Sequence, residues 1–239
     1  MDQTRAENLL RWYESIEHKL EMFLRDVPPQ GQNFNTWSPL LADVIVDSCS
    51  LIDSLFRHIS PAKIEISGTA KSRGKLTISD YAVLYGTSLG LAQRKIICLL
   101  TPPEYREPFS SWASPSSSLD WWKVHTDLKH DRIVNLDKAV LNVGIDALAG
   151  AFAALSSSHS LIRALLRRGW TNLGGYNPDL SAEIETQGYR NMQRSMSFSI
   201  ETTLFATVHG EEPLPDDIRD FCPTVYRGSA RLVGFFGNW

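Results

Sequence analysis

Residues 141–155 place the strongest constraint on the fold, because they carry two packing faces at helical spacing. Large apolar side chains recur every three or four residues, which is the period of one face of an α-helix. Small residues form a second face beside that stripe. A helix that packs on two sides is covered on both, which predicts a central position in a helical protein. The large residues are Leu141, Ile145, Leu148, Phe152 and Leu155, and the small ones are Gly144, Ala147, Ala151 and Ala154.

Four more helices are predicted from apolar stripes and end signals. The first covers residues 5–26, and the second begins at Ser38, a good N-cap residue followed by proline at the first helical position. A third covers 79–99, and a fourth begins after Ser116–Ser118 with a capping box between Ser117 and Asp120. The central helix is predicted over 136–168, with a break at Ser156–Ser158. The stripe of the first helix is Leu9, Tyr13, Ile16, Leu20 and Phe23, and that of the second is Leu41, Ile45, Ser48, Ile52, Leu55 and Ile59.

The pattern changes after residue 168, which divides the chain into a helical bundle (1–168) and a C-terminal extension (169–239). Alternating apolar residues between 196 and 208 predict a strand or two, and residues 225–236 resemble a short hairpin. The extension is either a packed cap or an element that binds a partner or a second copy. The predicted class is mainly α, with about five helices and short β-strands in the extension.

Composition excludes several classes of protein. The 239 residues are 43% hydrophobic and 21% charged, which is ordinary for a globular chain. The net charge of −3 means that contact with nucleic acid requires a local basic patch. Three widely spaced cysteines, with no motif for a metal or a cofactor, predict reduced thiols. The first ten residues lack a signal-peptide core and no apolar run is long enough to span a bilayer, so we expect a cytoplasmic protein without a membrane segment.

The segment WWKVHTDLKHDR, residues 121–132, holds the densest group of reactive side chains. His125 and His130 are candidate acids or bases, and Asp127 lies three residues before His130, where its carboxylate would orient the imidazole on a helix. Lys129 and Arg132 would stabilise negative charge at a phosphate. We therefore predict these five residues as the catalytic set. The alternative is an ordinary charged helix edge, with the two tryptophans as core anchors.

The spacing of the two histidines limits this hypothesis. Residues five apart on a helix of roughly 3.6 residues per turn point about 140° apart. His125 and His130 are therefore expected to converge on one phosphate only through a helix bend or a second subunit.

The same segment, followed by the alanine-rich run NVGIDALAGAFAAL, resembles the HEPN superfamily (higher eukaryotes and prokaryotes nucleotide-binding). The similarity extends over residues 38–155 and includes the second-helix stretch SPLLADVIVDSCSLIDSLFRHI. The residues that match within the segment are Trp121, Trp122, Lys129, His130 and Arg132.

The resemblance implies a four- to five-helix bundle, frequently dimeric. Many members are metal-independent ribonucleases of phage defence or toxin–antitoxin systems. Their motif is an arginine followed, after four to six residues, by a histidine. His130 takes the histidine position, while the arginine position falls on His125 or, at the longer spacing, on Lys123. This departure leaves a non-catalytic domain as an alternative. An acid and a cation four residues apart on an early helix also match the family, at Asp53 and Arg57.

Three functions follow from these features. The first is a homodimer that binds or cleaves RNA without metal, with Lys71, Arg73 and Lys75 of a predicted loop over residues 66–77 as further RNA contacts beside Lys123. The second is a non-enzymatic scaffold or dimerisation module that binds a protein partner, and the third is a small-ligand pocket. A basic loop close to the motif helix would favour RNA, a buried His130 would favour the scaffold, and an enclosed apolar cavity at His125 would favour the ligand.

Overall fold

The computed structural model of the chain describes residues 1–66, 68–100, 103–114, 117–172 and 199–207. The fold is mainly helical with a few short strands, as predicted. Helix α2 packs against α1, α4 and α5, and α5 also contacts α1 and α4. These four helices share one core. The helices are α1 Gln3–Asp26, α2 Pro39–Ile59, α3 Ile78–Tyr85, α4 Asp120–His130, α5 Leu141–Ser156 and α6 Ile162–Arg168.

Helix α2 begins and ends where its sequence signals predict. The Ser38 hydroxyl accepts a hydrogen bond from the Leu41 amide at 3.1 Å, and Pro39 occupies the first turn. Serine at this position satisfies a donor that the helix itself leaves unpaired. The predicted stripe is buried from Leu41 to Leu55, so the prediction for this helix is confirmed.

Helix α5 is buried along both of its predicted packing faces, which confirms its central place. A Cβ on Gly144 would lie 3.3 Å from the Leu41 side chain, and one on Gly150 would lie 3.0 Å from Cζ2 of Trp121. The small residues therefore allow α2 and the motif helix to approach closely. Trp121 is buried and donates its indole N–H to the Pro108 carbonyl at 2.8 Å, so its prediction as a core anchor is confirmed.

A continuous helix over 136–168 is wrong, although the predicted break is correct. A 3-10 turn covers Leu136–Lys138, α5 ends at Ser156, and α6 begins at Ile162. The Ser156 and Ser158 hydroxyls bond to carbonyls of the last turn of α5. Side chains that bond to nearby backbone compete with helix propagation, which explains why the serines end α5.

The third and fourth predicted helices need correction. Helix α3 has eight residues instead of about twenty, and Gly90, at φ +65°, turns the chain towards a strand. A capping box between Thr77 and Asp80 starts α3. The capping box predicted for α4 is wrong, because Leu119 is the N-cap residue and Asp120 already lies in the helix.

Two sheets were not predicted. An antiparallel hairpin of β1 Lys63–Ile66 and β2 Thr69–Ser72 replaces part of the expected loop over 66–77. Strand β3, Ile96–Cys98, lies between β4, Glu104–Arg106, and β7, Phe205–Thr207, in a three-stranded antiparallel sheet. The remaining pair is β5 Thr171–Asn172 with β6 Ser199–Ile200.

Strands β6 and β7 confirm the expectation of short strands between 196 and 208, and β7 joins β3 of the bundle portion. The hairpin predicted over 225–236 lies outside the described residues. Cys49 and Cys98 are buried free thiols, as predicted, and Cys222 also lies outside the described residues.

A largely buried arginine connects the sheet to the bundle. Nη1 of Arg106 lies 2.7 Å from the Asn142 side-chain oxygen and 2.9 Å from Oδ1 of Asp146, both on α5. Its Nε donates to Glu104 at 3.0 Å, and the guanidinium lies 5.9 Å from the centre of the Phe34 ring. Burial opposes the charged form of Arg106, but Asp146 and Glu104 outweigh that effect and raise its pKa.

A buried carboxylate connects α1 to the segment before β7. Oε1 of Glu17 accepts hydrogen bonds from the Tyr13 hydroxyl at 3.2 Å and the Leu204 amide at 3.0 Å, and also from the Thr202 hydroxyl. Only 4% of Glu17 is exposed. Burial raises its pKa to about 6, against the lowering effect of the three donors.

The raised pKa of Glu17 predicts that its contribution to stability falls as the pH rises. The folded state holds the proton more tightly than the unfolded state, whose pKa is 4.5. The contribution is therefore complete below pH 4.5 and is lost as the pH rises through about 6, a change of about 2 kcal/mol. Urea unfolding at pH 4.5 and pH 7 measures it. The Glu17→Gln variant keeps an acceptor without titrating and should show a smaller loss over that interval. Equal losses in both proteins would contradict the assignment.

Candidate functional site

A cleft of about 580 Å³ lies between α2, α4 and the start of α3. It brings together residues that are far apart in the sequence. Among its lining residues are Asp53 and Arg57 of α2, and His125, Lys129 and His130 of α4. Five of the predicted site residues thus share one cleft.

His125 forms the buried part of this cleft. Only 6% of it is exposed, and neither ring nitrogen has a hydrogen-bond partner among the described residues. Its ring meets that of Trp122 edge to face, with centroids 5.1 Å apart. Burial lowers the pKa of His125 to about 4, Lys129 lowers it further, and Asp53 opposes the shift. The imidazole is therefore neutral at pH 7, so His125 does not replace an arginine as a fixed cation.

His130 lies at the exposed end of the cleft, as the last residue of α4. It lines the same cleft as His125 but at a different depth, since His125 is buried and His130 is exposed. The expectation that the two imidazoles do not converge on one phosphate within a single chain stays a prediction.

The expected contact between Asp127 and His130 is absent from the described residues. Oδ2 of Asp127 instead lies 2.6 Å from Nζ of Lys138, in the turn that follows α4. An oppositely charged lysine competes successfully for the carboxylate. Asp127 therefore stabilises the path from α4 to α5 and does not orient the histidine.

Asp53 and Arg57 form the predicted ion pair at 2.8 Å. Asp53 raises the pKa of Arg57 and also accepts a hydrogen bond from the Tyr81 hydroxyl at 2.8 Å. Nη1 of Arg57 donates to the Gly74 carbonyl at 3.2 Å. The pair therefore connects α2 both to α3 and to the turn at residues 73–75.

The basic residues before α3 have different roles. Lys71 lies 2.6 Å from Asp80, the residue of the capping box that starts α3, so it stabilises the fold. Arg73 and Lys75 are exposed in a 3-10 turn. The next residues, Leu76 and Thr77, line the cleft, which brings the basic turn to its edge.

Two further predicted cations also lie outside the cleft. Lys123 is exposed and lies 3.1 Å from Asp120. Arg132 donates to Asp43 at 2.7 Å and to the Pro39 carbonyl at 3.0 Å, which attaches the turn after α4 to the start of α2. The catalytic role predicted for Arg132 and the RNA contact predicted for Lys123 have no support in this arrangement.

Several lining residues were missed. Trp122 was expected to be a core anchor, but it is half-buried and its ring lines the cleft. Cys49 and Thr77 also line it. Only Trp122 could have been found from the sequence, because it lies within the segment of residues 121–132. Cys49 and Thr77 reach the cleft only through tertiary packing.

Within the described ranges, no group of three or more histidine, cysteine, aspartate or glutamate side chains could hold a metal ion. No helix in this part of the chain is long and apolar enough to cross a membrane. Comparisons with protein-family models, curated proteins and solved structures find no significant match.

Proposed function

We propose that this chain is a HEPN-like protein that binds RNA in the cleft between α2 and α4 and cleaves it without a metal ion. The observation that carries the proposal is the convergence of His125, Lys129 and His130 with Arg57 in one open cleft. A histidine beside two cations is suited to proton transfer at a phosphodiester. A place in prokaryotic defence or a toxin–antitoxin system, in the cytoplasm, is part of the same proposal.

The chemistry uses the RNA as its own nucleophile. His130 removes the proton of a 2′-hydroxyl, the 2′ oxygen forms a bond to phosphorus, and the bond from phosphorus to the 5′ oxygen breaks. The leaving oxygen takes a proton from solvent. Lys129 and Arg57 stabilise the added negative charge on the phosphate. The products are a 2′,3′-cyclic phosphate and a 5′-hydroxyl.

The positions of three features favour RNA over the other functions. His130 is exposed, whereas a structural corner of a scaffold would bury it. The cleft is open and has charged residues along it, unlike an enclosed apolar ligand cavity. The exposed Arg73 and Lys75 lie in the turn that leads into the cleft wall, where they add positive charge for the RNA backbone.

Incubation of the purified protein with several single-stranded RNAs in EDTA tests the function. We expect cleavage that ends in cyclic phosphates, while DNA of the same sequences, which lacks the 2′-hydroxyl, stays intact. A protein that neither binds nor cleaves any of these RNAs would contradict the proposal. That result would favour the scaffold or the small-ligand function.

A homodimer is also proposed. Ile133 and Val134, in the turn after α4, are 90% and 71% exposed. Exposed apolar residues next to a site are typical of surfaces that another protein covers. Light scattering of the purified protein should give about twice the chain mass of 26.9 kDa. A monomer at micromolar concentration would contradict this part of the proposal.

A further inference from the structure

The floor of the cleft contains a polar group whose partner is absent from the described residues. His125 is 94% buried, since 6% is exposed, and both of its ring nitrogens are unpaired there. A buried polar atom without a hydrogen bond costs about 1–3 kcal/mol. Folded proteins keep few such groups, and those that persist call for a functional explanation. Both nitrogens are covered in this structure, so a ligand that enters the cleft and displaces the side chains over them would supply the missing bond.

The surroundings of His125 indicate the chemistry of that ligand. The Trp122 ring lies beside it, and the Cys49 side chain, which is fully buried, and Leu76 line the same cleft. Apolar and aromatic groups pack well against a flat ring, whereas a phosphate would lose its hydration there without compensation. Burial lowers the pKa of His125 to about 4, so the ring offers one donor and one acceptor and carries no charge.

The charged groups lie elsewhere in the cleft. Lys129 is exposed, and Arg57 is held at the side of α2 by Asp53. The cleft thus has a weakly polar floor and a charged rim, on which the two cations outnumber the Asp53 carboxylate. This division matches the two parts of a nucleotide, a flat base with donors and acceptors on its edge and a charged phosphate. A volume of about 580 Å³ lies within the range of small-ligand sites.

We propose that the floor of the cleft binds one nucleobase, whose edge forms hydrogen bonds with His125 while its ring packs against Trp122. The phosphate of the same nucleotide then lies at Lys129 and Arg57. The inference rests on the proposed RNA function and adds a base preference to it. His125 becomes a specificity-determining residue, and proton transfer is left to His130.

Calorimetric titration of the purified protein separates base binding from phosphate binding. The ligands are the four nucleoside 5′-monophosphates, with ribose 5-phosphate as the control that lacks a base. We expect at least one nucleotide to bind about tenfold more tightly than ribose 5-phosphate, since stacking and edge hydrogen bonds each contribute measurably.

Two variants locate the effect. His125→Phe keeps a ring of similar size and removes both ring nitrogens, so it should fold and should lose about tenfold in affinity for the preferred nucleotide. Its affinity for ribose 5-phosphate should not change. Lys123→Ala removes a cation of α4 outside the cleft and should bind every ligand as the wild type does.

Each result decides the inference. Equal affinity for ribose 5-phosphate and the nucleotides, an unchanged His125→Phe variant, or no binding of any ligand would overturn the base site. RNA cleavage that persists with such a result would leave the proposed function intact. Base-selective binding of mononucleotides by a protein that neither binds nor cleaves RNA would support the base site and reject the RNA function.

Discussion

Replacing His130 with alanine is expected to slow RNA cleavage in EDTA by a factor of about 10²–10⁴, the usual contribution of a positioned acid or base. His130 is an exposed residue that lines the cleft, where the proposed cleavage needs a general base. Its side chain is exposed and makes no hydrogen bond in the described part of the chain, so the fold should tolerate the change. The rate under single-turnover conditions with excess protein is the measurement.

A matched variant shows whether such a loss comes from the site. Lys123 is an exposed residue of the same helix, pairs with Asp120 and lies outside the cleft. The Lys123→Ala variant should therefore cleave RNA at the wild-type rate. Unfolding midpoints of both variants should lie close to the wild-type value. A His130→Ala protein that cleaves RNA at the wild-type rate would remove His130 from the chemistry.

Replacing Arg106 with leucine is expected to lower the free energy of unfolding by about 2–3 kcal/mol, the cost of leaving a partly buried carboxylate without its charged hydrogen-bond donor. Only 13% of the Arg106 side chain is exposed, and its loss leaves Asp146 without its compensating charge. Burial already raises the pKa of Asp146, although Arg106 favours the charged form. Urea unfolding at pH 7 measures the effect.

Two further variants identify the cause of the loss of stability. Arg5→Leu removes an arginine from the exposed pair with Asp2 and should change the free energy of unfolding by less than about 1 kcal/mol. The double variant Arg106→Leu, Asp146→Asn should recover part of the loss, because the less exposed of the two carboxylates that lose Arg106 no longer carries a charge. The other, Glu104, is 38% exposed and keeps contact with water. An Arg106→Leu protein as stable as Arg5→Leu would mean that the buried network adds little.

The helices that the sequence predicts well are those whose signals are local. Ser38 and Pro39 start α2, and its apolar stripe repeats without interruption, so propensity, capping and burial agree. In residues 79–99 the apolar residues are less regularly spaced. Residues 96–98 there form a strand because β4 and β7 lie on either side, and β7 comes from a distant part of the chain. No local pattern contains that information.

In the candidate site, too, the sequence predicts local contacts and misses those made by distant parts of the chain. The sequence placed the Asp53–Arg57 pair correctly, because acid and base four residues apart meet on any helix. It failed for Asp127, since Lys138 approaches only after the chain turns back beyond α4. The burial of His125, and with it the low pKa, depends on the packing of α2 and the start of α3 over the motif helix. Side-chain chemistry can be listed from a sequence, but its electrostatic environment requires the tertiary structure.

The position of β3 in the centre of its sheet has a consequence for synthesis on the ribosome. One edge of β3 pairs with β4, which follows within a few residues, but the other edge pairs with β7 at Phe205–Thr207. About 110 residues separate β3 from the end of β7. At roughly 5–20 residues per second, that edge stays without its partner for about 5–20 s after β3 is made. The helical bundle around α2 and α5 can thus be translated in full before the sheet that braces it through Arg106 is complete.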